Sequence, residues 1–189
     1  FLRSRLICLE NSHNRRGGAV LDPDYMQRVR QIADRHRLAI HVDGARLFNA
    51  AEAQGLPAAA LVKHADTVSI CLSKGLCAPV GSLLCGSADF IAEARRARKL
   101  LGGGMRQAGV LAAAGIVALS TMVDRLADDH RRARWLAQEL ATMPGVRICP
   151  EDVRTNIVIF ELHRAELSPA NLAASAAEQG LLFFPVGGP

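Results

Sequence analysis

Two charged residues stand where apolar segments stop. The first is Lys74, in Ser69-Ile70-Cys71-Leu72-Ser73-Lys74-Gly75. The second is Asp43, in Leu38-Ala39-Ile40-His41-Val42-Asp43-Gly44-Ala45-Arg46. A lysine that ends a buried strand loses hydration, which is costly unless the amine is paired or used. One use is covalent, because a lysine amine forms a Schiff base with a carbonyl compound. Read singly, each residue has an ordinary alternative. Lys74 could open a solvated loop, and Asp43 could be a helix N-cap or turn aspartate beside Gly44.

Read as a pair, they suit pyridoxal phosphate. That cofactor needs an amine to hold it and a carboxylate to keep its pyridine nitrogen protonated. In an open parallel sheet, ligands bind beyond the carboxyl ends of the strands. Asp43 and Lys74 both fall at such ends, on successive strands joined by a helical crossover. His13 lies in a polar loop after an earlier strand and faces the same edge. A histidine there suits proton transfer, or is an exposed loop residue. His41 shares the strand face of Asp43 and could support it or be a core histidine.

The elements that must place these residues are legible in outline. Arg5 to Glu10 reads as a strand, followed by a loop with Gly17-Gly18. Asp22-Pro23 signals a helix start, and that helix runs to about Arg35. Leu38 to Val42 is the next strand. Helical segments follow near Ala45 to Ala53 and Pro57 to Lys63. Thr67 to Leu72 and Gly81 to Cys85 are strands. Ser87 caps a basic helix to about Leu101, and Gly102-Gly103-Gly104 break it. A long apolar helix begins near Met105, and a more polar one runs from about Asp124 to Thr142. Val146 to Cys149, Asn156 to Glu161 and Leu181 to Phe184 read as strands, with a helix from Ser168-Pro169 to Gly180. Strands alternating with helices argue for an α/β fold with a parallel-type sheet. The expected division is a large domain over 1–144 and part of a smaller α+β domain over 145–189.

Composition narrows the classes. Half of the 189 residues are hydrophobic, which suits a packed core rather than disorder. No apolar run approaches the ~20 residues of a membrane helix, and no secretory leader is visible. A cytoplasmic protein without membrane contact is the expectation. The net charge is +5, with one Trp and one Tyr. The spread of basic residues reads as solvated helix faces, not as a nucleic-acid surface. Cys8, Cys71, Cys77, Cys85 and Cys149 are odd in number and lack Cys-x-x-Cys spacing. Four of them adjoin apolar runs and read as buried free thiols. No metal cluster and no Ser-His-Asp triad stands out.

Four motifs carry a family resemblance. They are Leu9-Glu10-Asn11-Ser12-His13-Asn14, His41-Val42-Asp43-Gly44-Ala45-Arg46, Cys71-Leu72-Ser73-Lys74-Gly75-Leu76 with Pro79-Val80-Gly81-Ser82, and Gly102-Gly103-Gly104-Met105-Arg106-Gln107. In this order the chain resembles the low-specificity L-threonine aldolases, pyridoxal phosphate enzymes of fold type I. The match runs from about Leu6 to at least His130, and more loosely beyond.

The resemblance implies an aspartate aminotransferase-like large domain, in which Lys74 holds the cofactor and Asp43 faces its ring nitrogen. It implies that His13 lies near the substrate's β-hydroxyl and that Arg46 contacts the cofactor's phenolic oxygen. Arg106 would hold the phosphate or the substrate carboxylate. The glycines before it could form an anion cradle or a flexible cap. The implied substrate is a β-hydroxy amino acid, cleaved to glycine and an aldehyde, and the implied assembly is a homodimer or homotetramer. Beside the family, a chain running from Phe1 to Pro189 looks like an internal fragment. Family members carry a phosphate loop and a ring-stacking histidine before this region, and a carboxylate-binding arginine after it. Two other readings follow: a non-catalytic fragment or pseudoenzyme, and another fold-type-I lyase such as a desulfurase.

Overall fold

The computed structural model describes residues 2–164 and 166–186; the terminal residues Phe1 and Pro189 lie outside them. A four-stranded sheet organises the first half. Its strands are β1 (Leu6–Glu10), β2 (Ala39–Gly44), β3 (Thr67–Cys71) and β4 (Ser82–Cys85), in the order β1-β2-β3-β4. The first three are mutually parallel and β4 runs antiparallel to β3. This is the α/β architecture expected from the alternation of strands and helices.

Helices make the parallel connections possible. Between β1 and β2 lies α1 (Pro23–His36), with Pro23 at its first position and Asp22 accepting from the Tyr25 N–H at 2.6 Å. Its apolar stripe buries Met26, Val29 and Ala33. Between β2 and β3 lie α2 (Leu47–Gln54) and α3 (Ala58–Leu61). These stripes pack on Ile40, Val42 and Val68 to form the main core. An ion pair ties the layers at the sheet's other end. Arg30 Nη1 lies 2.9 Å from Asp66 Oδ2, the same oxygen that accepts from the Ile40 N–H at 2.6 Å.

The second half is helical. It runs through α4 (Ala88–Leu100), α5 (Gly109–Val117) and α6 (Leu126–Ala141), with a wide π turn over Ala118–Met122 between the last two. A small antiparallel pair, β5 (Val146–Arg147) and β6 (Glu161–Leu162), and α7 (Pro169–Glu178) complete it. Two faces of α6 serve two cores. Leu126 packs with Leu72, Leu76, Ala78 and Ala118, while Ala133 and Ala137 pack with Val153. No single helix among the described residues is long and apolar enough to cross a membrane.

Four local expectations are corrected. The apolar helix starts at Gly109, not near Met105, because Gln107 takes a positive φ of 45° that no α-helix accommodates. Asn156 to Phe160 form no strand; only Glu161 and Leu162 pair, because β5 offers just two residues to pair with. Leu181 to Phe184 are irregular, and Leu182 and Phe184 are almost fully exposed. The cysteines are not buried. Cys8, Cys77, Cys85 and Cys149 are exposed and Cys71 is half-buried, all as free thiols. Cys85 lies on β4, whose residues are all exposed, and Cys8 sits on the sheet face that Ile40 and Val42 do not occupy.

Close approach fixes Gly44 at the end of β2. A Cβ there would meet the Ser69 carbonyl oxygen at 2.8 Å and Leu47 Cβ at 3.1 Å. Both neighbours belong to rigid elements. Gly44→Ala should therefore lower stability by about 1–3 kcal/mol through overpacking. Gly109→Ala, where a Cβ meets nothing within 4 Å, should be neutral or slightly stabilising. Urea unfolding midpoints of the two variants check the contrast.

Candidate active site

The site begins with strand register. Glu10 pairs with Asp43, and Asp43 pairs with Ser69. Because β1, β2 and β3 are parallel, their carboxyl ends form one edge. The segments carrying His13, Asp43 and Lys74 leave that edge in turn. Along β2, Ile40 and Val42 are buried while Asp43 is exposed, so the strand turns its carboxylate away from the core.

Asp43 and His13 share a cleft of about 540 Å³, which Glu10, Arg16, Leu21 and Tyr25 also line. Asp43 Oδ1 accepts from the Ala45 N–H at 3.0 Å. Among the described residues no cation pairs with it, so the carboxylate remains open to a protonated ring nitrogen. His13 Nε2 lies 3.6 Å from Glu10 Oε2. Its Nδ1 is buried and lacks a hydrogen-bond partner among the described residues.

The His13 loop is held from below and from behind. Asn11, only 1% exposed, donates through Nδ2 to the Leu21 carbonyl at 3.0 Å and accepts from the Leu21 N–H at 3.1 Å. This exchange mimics a strand pair and closes the loop at its base. Next to it, the His13 N–H donates to the Ala19 carbonyl at 2.8 Å. Behind the loop, fully buried Thr155 donates through Oγ1 to the Gly18 carbonyl at 3.3 Å.

Lys74 stands in a tight turn after β3. The Cys77 N–H donates to the Lys74 carbonyl at 2.9 Å, and the Ala78 N–H to the Leu72 carbonyl at 3.0 Å. The Leu72 N–H reaches the Gly81 carbonyl at 2.9 Å, bringing β4 back beside β3. Leu72, Leu76 and Ala78 are buried, but the Lys74 side chain is exposed. The expectation that burial strips its amine of water is corrected. The turn anchors its neighbours in the core and leaves the lysine outside. Nearby, partial burial pushes the Cys71 thiol up, but hydrogen bonding to Ser73 and the Lys74 charge outweigh it and hold the thiol below its ordinary value.

The remaining candidates are less gathered. Arg46 is half-buried at the start of α2, the residue after the Asp43-bound Ala45 N–H. Arg106 is exposed in the irregular segment before α5. Neither Lys74, Arg46 nor Arg106 lines the Asp43–His13 cleft. His41 does share the face of Asp43, yet its Nδ1 bonds Thr67 Oγ1 at 2.8 Å on β3. Sequence reading missed Asn11, Glu10 and Thr155, whose roles depend on contacts up to 137 positions apart. The signal for Asn11 and Glu10 was present only as flanks of the His13 motif.

An exposed amine and an unpaired carboxylate at adjoining strand ends fit an aldehyde cofactor with a basic ring nitrogen. Such a sheet edge is that of an α/β enzyme of the fold-type-I class. The structure of a putative aromatic amino acid beta-eliminating lyase/threonine aldolase from Exiguobacterium superposes with a TM-score of 0.72 at 25% identity, over 79% of this chain and 42% of that one. The beta-eliminating lyase family model matches residues 1–163, and the chain belongs to that family. It is 48% identical to low-specificity L-threonine aldolase 1 of Arabidopsis thaliana, over 95% of this chain and 50% of that protein. It is 50% identical to the low specificity L-threonine aldolase of Escherichia coli K12, over 74% of this chain and 41% of that protein. The chain thus spans about half the length of these relatives or less.

Asn11→Ala should release the His13 loop. The half-buried Leu21 N–H loses its acceptor, a change that costs about 1 kcal/mol. Hydrogen exchange at the His13 and Gly18 amides should speed up with it, while exchange in α6 stays unchanged.

Proposed function

We propose that this chain carries the reactive amine, the ring carboxylate and the proton-transferring histidine of an aldolase. The reaction is pyridoxal phosphate-dependent cleavage of L-threonine or L-allo-threonine to glycine and acetaldehyde. The observation that carries the reading is the level ending of three parallel strands, which sets Asp43 beside His13 and sends Lys74 out of the same edge. Pyridoxal phosphate, when bound, supplies a ring that takes up the electron pair released as the substrate's Cα–Cβ bond breaks.

The chain's own residues divide the remaining tasks. Lys74 Nζ is the amine that would hold the cofactor's aldehyde carbon. The Asp43 carboxylate holds a proton on the ring nitrogen. The His13 imidazole takes the proton of the substrate's β-hydroxyl, directly or through one water. Glu10 Oε2 lies 3.6 Å from its Nε2. Arg46 would meet the cofactor's phenolic oxygen, and Arg106 its phosphate or the substrate carboxylate. The working assembly is a homodimer or homotetramer in the cytoplasm.

Aldol cleavage is favoured over another fold-type-I lyase chemistry. The family's description speaks of elimination, but the relatives at 48% and 50% identity are named for aldol cleavage. A catalytically silent chain is the outcome against which the test is set. The purified chain is mixed with pyridoxal phosphate, freed of excess, and its visible spectrum recorded. A retained absorbance band should appear, shift on adding glycine or threonine, and vanish in Lys74→Ala. Asp43→Asn should weaken the spectral response to glycine. In any preparation with turnover, Lys74→Ala should abolish release of acetaldehyde. A soluble, folded chain without a Lys74-dependent band would overturn the reading for this chain.

A further inference from the structure

A buried polar pair lies under the Lys74 turn. Asn49, on α2, and His130, on α6, are 3% and 2% exposed. Asn49 Nδ2 sits 3.1 Å from His130 Nε2. The two residues are 81 positions apart and join α2 to α6. The backbone of the turn rests on this junction. A Cβ on Gly75 would meet Leu126 Cδ2 at 2.8 Å and Asn49 Oδ1 at 3.4 Å. Leu126 stands one helical turn before His130. The floor beneath the residue next to Lys74 is therefore built from one α2 amide and one turn of α6.

We infer that Asn49 and His130 are positioning residues for Lys74: their hydrogen bond clasps α2 to α6 under Gly75, and it holds only while His130 is neutral. The Asn49 amide is the donor, so Nε2 must be the acceptor, which requires the neutral ring with its proton on Nδ1. Adding a proton to Nε2 would set donor against donor in a buried space. Burial also pushes the imidazole below its ordinary value, and Arg134 on α6 acts in the same direction. Glu52 on α2 and Asp129 on α6 oppose it. The turn itself meets this floor through Gly75, with the Lys74 side chain exposed. A group whose native value is depressed contributes stability above its unfolded value, and that stability is lost as pH falls through the folded one. The clasp should thus be intact at neutral pH and open on acidification below the ordinary histidine range.

The inference rests on Lys74 as the reactive amine, but its test needs no cofactor. Hydrogen exchange of the Cys77 and Ala78 amides, which close the turn, is followed by mass spectrometry on the full chain from about pH 8 to about pH 4.5, through and below the ordinary histidine range. Rates are corrected for intrinsic chemistry and compared with amides in α1. Protection of the turn should fall at least about fivefold on acidification, the factor for stranding one buried donor. In His130→Gln the side-chain carbonyl can still accept from Asn49 and cannot titrate, so protection should stay level. In Asn49→Asp the carboxylate prefers the charged ring, so protection should be kept or rise at low pH. The same loss in wild type and His130→Gln would overturn the inference, as would equal loosening of α1. A missing Lys74-dependent band with these profiles intact would refute the function and leave the clasp standing.

Discussion

Parallel pairing in one register is the constraint on which the site depends. Glu10, Asp43 and Ser69 lie level across β1, β2 and β3. A slip of β2 by one residue would turn every side chain to the other face. Asp43 would then enter the layer where Ile40 and Val42 are buried. The core therefore enforces the register, and the register delivers the carboxylate to the cleft. The crossovers are part of the same constraint, because parallel strands cannot be joined by a tight turn. Helix α1 and the α2–α3 pair supply both the connection and the cover.

Beyond the strand ends, the two loops are fixed by different means. The His13 loop relies on side chains. Asn11 exchanges two hydrogen bonds with Leu21, and Thr155 reaches Gly18 from the far end of the sequence. The Lys74 turn relies on its own backbone and on small residues that permit close approach. Each hydrogen bond is worth about 1 kcal/mol net. Several within one short loop, each ending on a packed element, leave few alternative conformations. That is the requirement for a site whose groups come from separate segments.

What could be read in the sequence followed from local rules. The Asp22-Pro23 start and the alternation that exposes Asp43 are properties of neighbouring residues, and both appear in the structure. The same rules fail where a distant partner decides. Asn156 to Phe160 is apolar enough for a strand, but β5 is only two residues long and pairs no further. The apolar neighbours of Cys8 and Cys85 suggested burial, but Cys8 alternates onto the uncovered face and every residue of β4, Cys85 included, is exposed. The Asn49–His130 contact had no sequence signal, since neither residue belongs to a motif. It depends on how α2 and α6 cross.

Lys74 shows why residue type and burial must be argued separately. A strand-terminal lysine suggested an amine deprived of water, yet the side chain is exposed while Leu72 and Leu76 on either side are buried. The turn therefore constrains the Cα position and leaves the four-carbon stem free. For the reactive amine proposed at Lys74, which would bind one carbonyl compound and later give it up, that division has a physical logic. A fixed backbone keeps the nitrogen within reach of a single place, and a free stem lets it withdraw without disturbing the core. The clasp under Gly75 acts on the first of these properties and not on the second. Its influence on Lys74 is thus one of placement, transmitted through the backbone rather than through the charge of the amine.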